Sequence, residues 1–180
     1  MVNFTADDSA AAAAPHELYW ALTSALAKAT AALEPNQVAL RFYDLMTLTF
    51  EQFGEFRPSV ALFFSQMLRD DVPRPALHND PMRHAMRTLV NEATDTPGKP
   101  EEQQALAHLL YALYLMSAMF WLYDRSIGQA ASAQLLEFMR EMIRFVRPML
   151  LMPLMNKALY KLTEIMETVL GSAAQKAAAD

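Results

Sequence analysis

The sequence predicts an all-α protein of about seven helices. Three observations carry this. Ten prolines punctuate 180 residues, and nearly every segment between them has helical spacing. No stretch alternates apolar and polar residues long enough to form a strand. Only four glycines are present, which disfavours turn-rich β folds and Gly-rich phosphate loops. Hydrophobic residues make up 53% and charged residues 19%, enough apolar material for a sizeable core.

The elements follow in order. Residues 1–15, with an alanine run at Ala10–Ala14, are expected to be a disordered lead-in. The helical domain is expected over 16–171 and a frayed tail over 172–180. A first helix runs from about His16 to Leu33, with Pro15 ahead of it and Glu17 in its first turn. A second runs from about Asn36, a candidate N-cap, to Phe53, before Gly54. A third spans about Pro58 to Arg69. Asp80-Pro81 opens a fourth, to about Ala93, because Asp caps and Pro fits a first helical turn. Thr94–Lys99, containing Pro97-Gly98, is the clearest linker.

The fifth helix, from Pro100 to about Tyr123, carries no charged residue from Gln103 to Tyr123. That length is compatible with a membrane span. The flanks Glu101-Glu102 and Asp124-Arg125 are not a one-sided basic cluster, which favours a central helix buried on every face. A sixth helix runs from about Ala130 to Leu150. Its Leu135, Met139, Met142, Val146 and Met149 recur at 4, 3, 4, 3 spacing, the seam of a shallow helix pair. Leu136, Ile143 and Leu150 widen the seam, with Phe138 and Phe145 beside it. Pro148 should kink the helix or end it early. A last helix is expected from about Leu154 to Leu170, before Gly171.

The fifth and sixth helices have more apolar surface than one neighbouring layer covers. A homodimer through a shared four-helix bundle accounts for it, with Trp121, Leu135, Met139, Met142, Ile143 and Val146 at the interface. A larger monomer with both helices interior is the alternative.

Function classes narrow by elimination. With no cysteine, disulfides, thiolate metal sites and cysteine nucleophiles are excluded. The formal net charge of −5 gives no electrostatic reason for this chain to bind nucleic acid. Arg140, Arg144 and Arg147 form a stripe, but Glu137 and Glu141 stand at pairing distance. The histidines show no metal-ligand pattern; Glu101-Glu102 with His108 lacks a third ligand. No metal, cofactor or catalytic residue is assigned. No secretory signal opens the sequence, so a cytoplasmic location is expected.

Small-molecule binding fits better. Phe42, Met46, Phe50 and Phe53 recur on the second helix, Phe63, Phe64 and Met67 on the third, and Tyr111, Tyr114 and Met119 on the fifth. Aromatic rings with adaptable thioethers suit an apolar cavity, and Tyr hydroxyls with His108 would orient a ligand. The same stripes are equally what a plain core looks like.

Three segments carry a family resemblance. His16-Glu17-Leu18-Tyr19-Trp20-Ala21-Leu22, the run Phe53–Leu68 with Phe56-Arg57-Pro58, and Phe120-Trp121-Leu122-Tyr123-Asp124-Arg125-Ser126 followed by Leu135-Leu136 resemble the C-terminal regulatory domain of TetR-family transcriptional regulators. The likeness spans about His16 to Pro153. It implies that the first segment follows the DNA-reading head, the second frames a ligand cavity and the third joins two dimerising helices. It also implies an apolar effector and a homodimer, with DNA contacted only through the family's three-helix head. Residues 1–15 contain no Lys or Arg and are too few for three helices, so that head is expected to lie outside this chain, either removed or naturally lacking. Two rival readings stay open: a headless helical interaction or lipid-carrier protein that does not touch DNA, and a small helical enzyme or metal protein.

Overall fold

A computed structural model describes residues 15–68, 80–149 and Lys161, with side chains over 16–66 and 80–145. The described residues are all-helical, with no strand. Six α-helices occur: α1 (Pro15–Thr30), α2 (Val38–Glu55), α3 (Arg57–Leu68), α4 (Pro81–Asn91), α5 (Pro100–Tyr123) and α6 (Ala130–Met149), with a 3₁₀ turn at Ile127–Gln129 before α6. The expected lead-in, the Leu154–Leu170 helix and the 172–180 tail lie outside the described residues, apart from Pro15 and Lys161.

Prolines start helices where the sequence placed them. Pro81 and Pro100 sit in the first turns of α4 and α5, where a missing N–H costs nothing. Asp80 caps α4, its carboxylate accepting the Met82 N–H at 2.9 Å. The start of α2 differs from expectation. The Asn36 side chain accepts from the adjacent Gln37 N–H, and the Val38 N–H at the head of the helix is taken instead by Asp95, 57 residues away, at 2.8 Å. Gly54 does not stop α2, which continues to Glu55.

Three other helix ends are closed by remote side chains. Arg41 is 1% exposed and donates to the carbonyls of Thr30, Leu33 and Glu34 beyond the end of α1, and to Glu92 at 2.8 Å. Arg57 closes α5 by donating to the carbonyls of Trp121, Leu122 and Asp124 at 2.9–3.0 Å, its guanidinium lying over the Trp121 ring. Asp124 serves the start of α6 through the Ser132 N–H and hydroxyl. Each satisfies backbone groups that a helix leaves orphaned.

Helix α1 lies against α3 and α4, α4 against α5, and α2 against α6. One core runs through all six, with Leu26, Leu45, Met82, Leu89, Leu110 and Ala118 at 0% exposure. Buried hydroxyls of Thr23, Thr30, Thr49 and Ser117 return to carbonyls four residues earlier, so they add no unpaired donors.

Two sequence expectations need correction. Helix α5 is long and apolar enough to cross a membrane, but it is not buried on every face: Met116, Phe120 and Tyr123 stand outside. On α6, Met139 of the 4-3-4-3 seam and Ile143 beside it turn inward, at 1% and 4% exposure, and the helix packs chiefly on α2. These two side chains, like the fully buried Trp121, offer a partner almost no surface. Leu135 and Met142 are half-buried, and the Val146 side chain lies outside the described set. The exposed residues are instead Phe138 at 63% and Phe145 at 73%.

Candidate functional site

The described interior contains one buried carboxylate ringed by phenols. A helix N-cap usually sits at the surface. Here the start of α4 is tucked under α1 and α5, leaving Asp80 2% exposed. Tyr19, on the inward face of α1, donates to Asp80 Oδ2 at 2.9 Å. Tyr111 of α5 donates to the same oxygen at 2.8 Å. Tyr114, three residues along on the same face, shares a hydrogen bond with the Tyr19 hydroxyl at 3.0 Å. One acid thus ties together the start of α4, the first half of α1 and the middle of α5.

The surroundings are aromatic. Tyr19 stacks on Phe63 with centroids 3.9 Å apart, and meets Phe64 edge-on at 5.9 Å and Phe53 at 6.1 Å. Arg83, one turn into α4, lies over the Tyr111 ring at 4.8 Å. Among the described residues, no Lys, Arg or His nitrogen forms an ion pair with Asp80.

Burial pushes the Asp80 carboxyl above its usual range. The Met82 N–H, the two phenols and the Arg83 charge oppose that shift without cancelling it. Tyr19, Tyr111 and Tyr114 are raised well above the ordinary phenol value, first by burial and then by the Asp80 charge. All three therefore remain hydroxyl donors at neutral pH. The cluster can accept or donate hydrogen bonds in a low-polarity setting, where each is stronger than in water.

The sequence-predicted ligand residues divide into groups. Phe53, Phe63, Phe64, Tyr111 and Tyr114 gather around Tyr19 and Asp80. Phe42 and Met46 are fully buried in α2. Phe50 is half-buried and stacks on Trp121 at 5.5 Å, toward the end of α5. His108 is half-buried on α5, and the Met67 side chain lies outside the described set. Sequence reasoning missed Tyr19 and Asp80 as site residues. Asp80 carried only its capping signal, and the 61-residue separation from Tyr19 left no local mark.

The described residues line at least two surface grooves. A polar one of about 300 Å³ lies between α4 and the start of α5, lined by Arg87, Asn91, Gln103 and Gln104 among others. An apolar one of about 600 Å³ lies at the end of α5, lined by Met116, Met119, Phe120, Tyr123, Asp124 and Arg125. Of the residues the sequence suggested for a cavity, Met119 alone lines either groove, the apolar one. Among the described residues, no group of three or more His, Asp or Glu side chains is placed to hold a metal ion.

The arginine stripe of α6 is paired along its described part: Arg140 with Glu137 at 2.8 Å and Arg144 with Glu141 at 3.5 Å. Comparison with family models, with curated proteins and with solved structures finds no match to this chain.

Proposed function

We propose that this chain is the effector-sensing and dimerising domain of a TetR-like transcription regulator. In this reading it takes a largely apolar small molecule beside the Asp80–Tyr19–Tyr111–Tyr114 cluster. The observation that carries the reading is that cluster. A buried carboxylate is costly to desolvate even when it is hydrogen-bonded. A perturbed carboxyl among aromatic rings is what a binding site uses to orient a ligand.

The cluster also links the two parts that the resemblance makes functional. Tyr19 belongs to the helix that follows the reading head, and Tyr111 and Tyr114 to a dimerising helix. A ligand that competes for Asp80 would change how α1 is held against α5. Only its difference in affinity between the two arrangements moves the equilibrium. In this reading DNA contact belongs to the helix-turn-helix head of the resembling family.

Dimerisation is assigned to the outer face of α5 and α6. These consecutive helices touch where the Ser117 hydroxyl lies 3.0 Å from Met139 Sδ. Met116 and Phe138 each precede a contact residue by one position, about 100° around the helix. Met116, Phe120, Tyr123, Ile127, Phe138 and Phe145 are between 44% and 98% exposed. At ~200 Å² for a large apolar side chain, they offer about 800 Å² per copy, the share a stable interface requires.

The test is a thermal-shift screen of an apolar ligand library on the full chain, read beside Asp80→Asn. The reading expects ligands that raise the melting temperature of the wild type and act weakly on Asp80→Asn. A library without hits, or hits indifferent to Asp80→Asn, overturns the assigned site.

A further inference from the structure

We infer that Ile127 of each copy seats in the apolar groove of a second copy, between Met116 and Tyr123; the inference rests on the dimeric reading above. Ile127 is 98% exposed, more than any other large apolar side chain described. The groove of Met116, Met119, Phe120 and Tyr123 is at the same end of α5, its last apolar residue four positions before Ile127 along the chain. At 98% exposure Ile127 does not fill its own groove. A knob and a hole side by side on one surface are what a two-fold contact uses, because one axis then makes two equivalent insertions. The axis must pass close to the α5–α6 turn.

The turn is built to hold this knob still. Gly128 and Gln129 both adopt left-handed backbone, with φ of 62° and 57°. That conformation suits glycine and is unfavourable for glutamine. Gln129 is held in it by its side chain, whose Oε1 accepts the Trp121 Nε1–H at 2.8 Å. Asp124 accepts the Ser126 N–H at 2.8 Å and both the N–H and hydroxyl of Ser132. The Ser126 hydroxyl accepts the Ala131 N–H at 3.0 Å. A solvated turn has no need of a branched apolar side chain at its most exposed point. A preorganised one gains affinity by losing little freedom on docking.

A second copy is the occupant that the area favours, since the surrounding stripe already supplies the surface of a standard interface. The groove rim adds Arg125, exposed beside Tyr123, a polar border typical of such contacts.

The chain has no cysteine, so single-cysteine variants give clean cross-links. Ile127→Cys and Met119→Cys proteins would be mixed and treated with a short bis-maleimide, and the linked peptides identified by mass spectrometry. The inference expects a 127–119 link between chains that appears in the mixture and is weak in either variant alone. Ile127→Ser should retain wild-type helicity and weaken dimerisation about a hundredfold, because each dimer loses two buried isoleucines. A dimer in sedimentation without that link, or with unchanged affinity in Ile127→Ser, overturns the insertion and leaves the dimeric reading standing. A monomer at all concentrations overturns both. A monomer that floats with phosphatidylcholine vesicles, and loses flotation in Ile127→Ser, assigns the tip to a bilayer instead and likewise overturns the inference.

Discussion

Replacing Asp80 separates its two jobs, capping α4 and anchoring phenols. Asp80→Ala removes the acceptor of the Met82 N–H, worth about 1 kcal/mol as an N-cap. It also strands the Tyr111 hydroxyl, while Tyr19 keeps its bond to Tyr114. A stranded buried donor costs about 1–3 kcal/mol. Removing a desolvated charge offsets part of this, so a net loss of about 2 kcal/mol is expected. Asp80→Asn keeps one acceptor oxygen, enough for the cap, but sets an NH2 where Oδ2 takes the Tyr19 and Tyr111 hydroxyls; it should cost less than Asp80→Ala at pH 7.

The pH dependence carries a sign. The folded carboxyl has a raised pKa, so the folded state keeps a proton that the unfolded chain has released. Stability from this group is full below the unfolded value of ~3.9 and is lost as pH rises through the folded value. Each unit of elevation removes about 1.4 kcal/mol. Urea unfolding of wild type and Asp80→Asn between pH 4 and 8 gives a difference curve in which the other titrations cancel. Wild type should lose ground to the variant as pH rises. A flat difference, or wild type gaining, would refute a carboxylate held against its burial cost, and a neutral Asp80→Ala would refute the anchoring.

Arg41→Met should cost about 2–4 kcal/mol in thermal unfolding, because three carbonyls beyond α1 lose a buried donor; Glu92→Gln should cost under about 1 kcal/mol, since Glu92 is 45% exposed. Arg57→Lys should lose about 1–2 kcal/mol, because a single ammonium reproduces neither the stacking on Trp121 nor the planar fork; a fully stable lysine variant would contradict the cap. Phe138→Glu with Phe145→Glu should give folded monomers in sedimentation, whereas Met139→Arg, facing the core, should unfold or precipitate.

Much of the helix layout was legible because it is written locally. Pro81 after Asp80 and Pro100 before Glu101-Glu102 mark helix starts through backbone chemistry that needs no tertiary partner. The remote caps were not legible: nothing near Arg41, Arg57 or Asp95 announces which distant backbone groups it meets. The α6 helix was legible in the sequence, whereas the cover of Met139 and Ile143 from within the chain was not. Spacing shows that Met139 and Ile143 share a face, but not whether α2 or a second copy covers it. Phe138 and Phe145, set beside the seam on the same spacing argument, are the side chains left uncovered. The site was half legible. Tyr111 and Tyr114 share a face by spacing alone, whereas Tyr19 and Asp80 join them only through the packing of α1 and α4 on α5.

Native mass spectrometry of the full chain as purified, followed by its titration with the best ligand from the thermal-shift screen, bears most directly on the central claim of a dimeric sensor. The account predicts a dimer that takes up one ligand per subunit and loses that uptake in Asp80→Asn. A monomer, or a dimer whose ligand uptake is the same in wild type and Asp80→Asn, would contradict it.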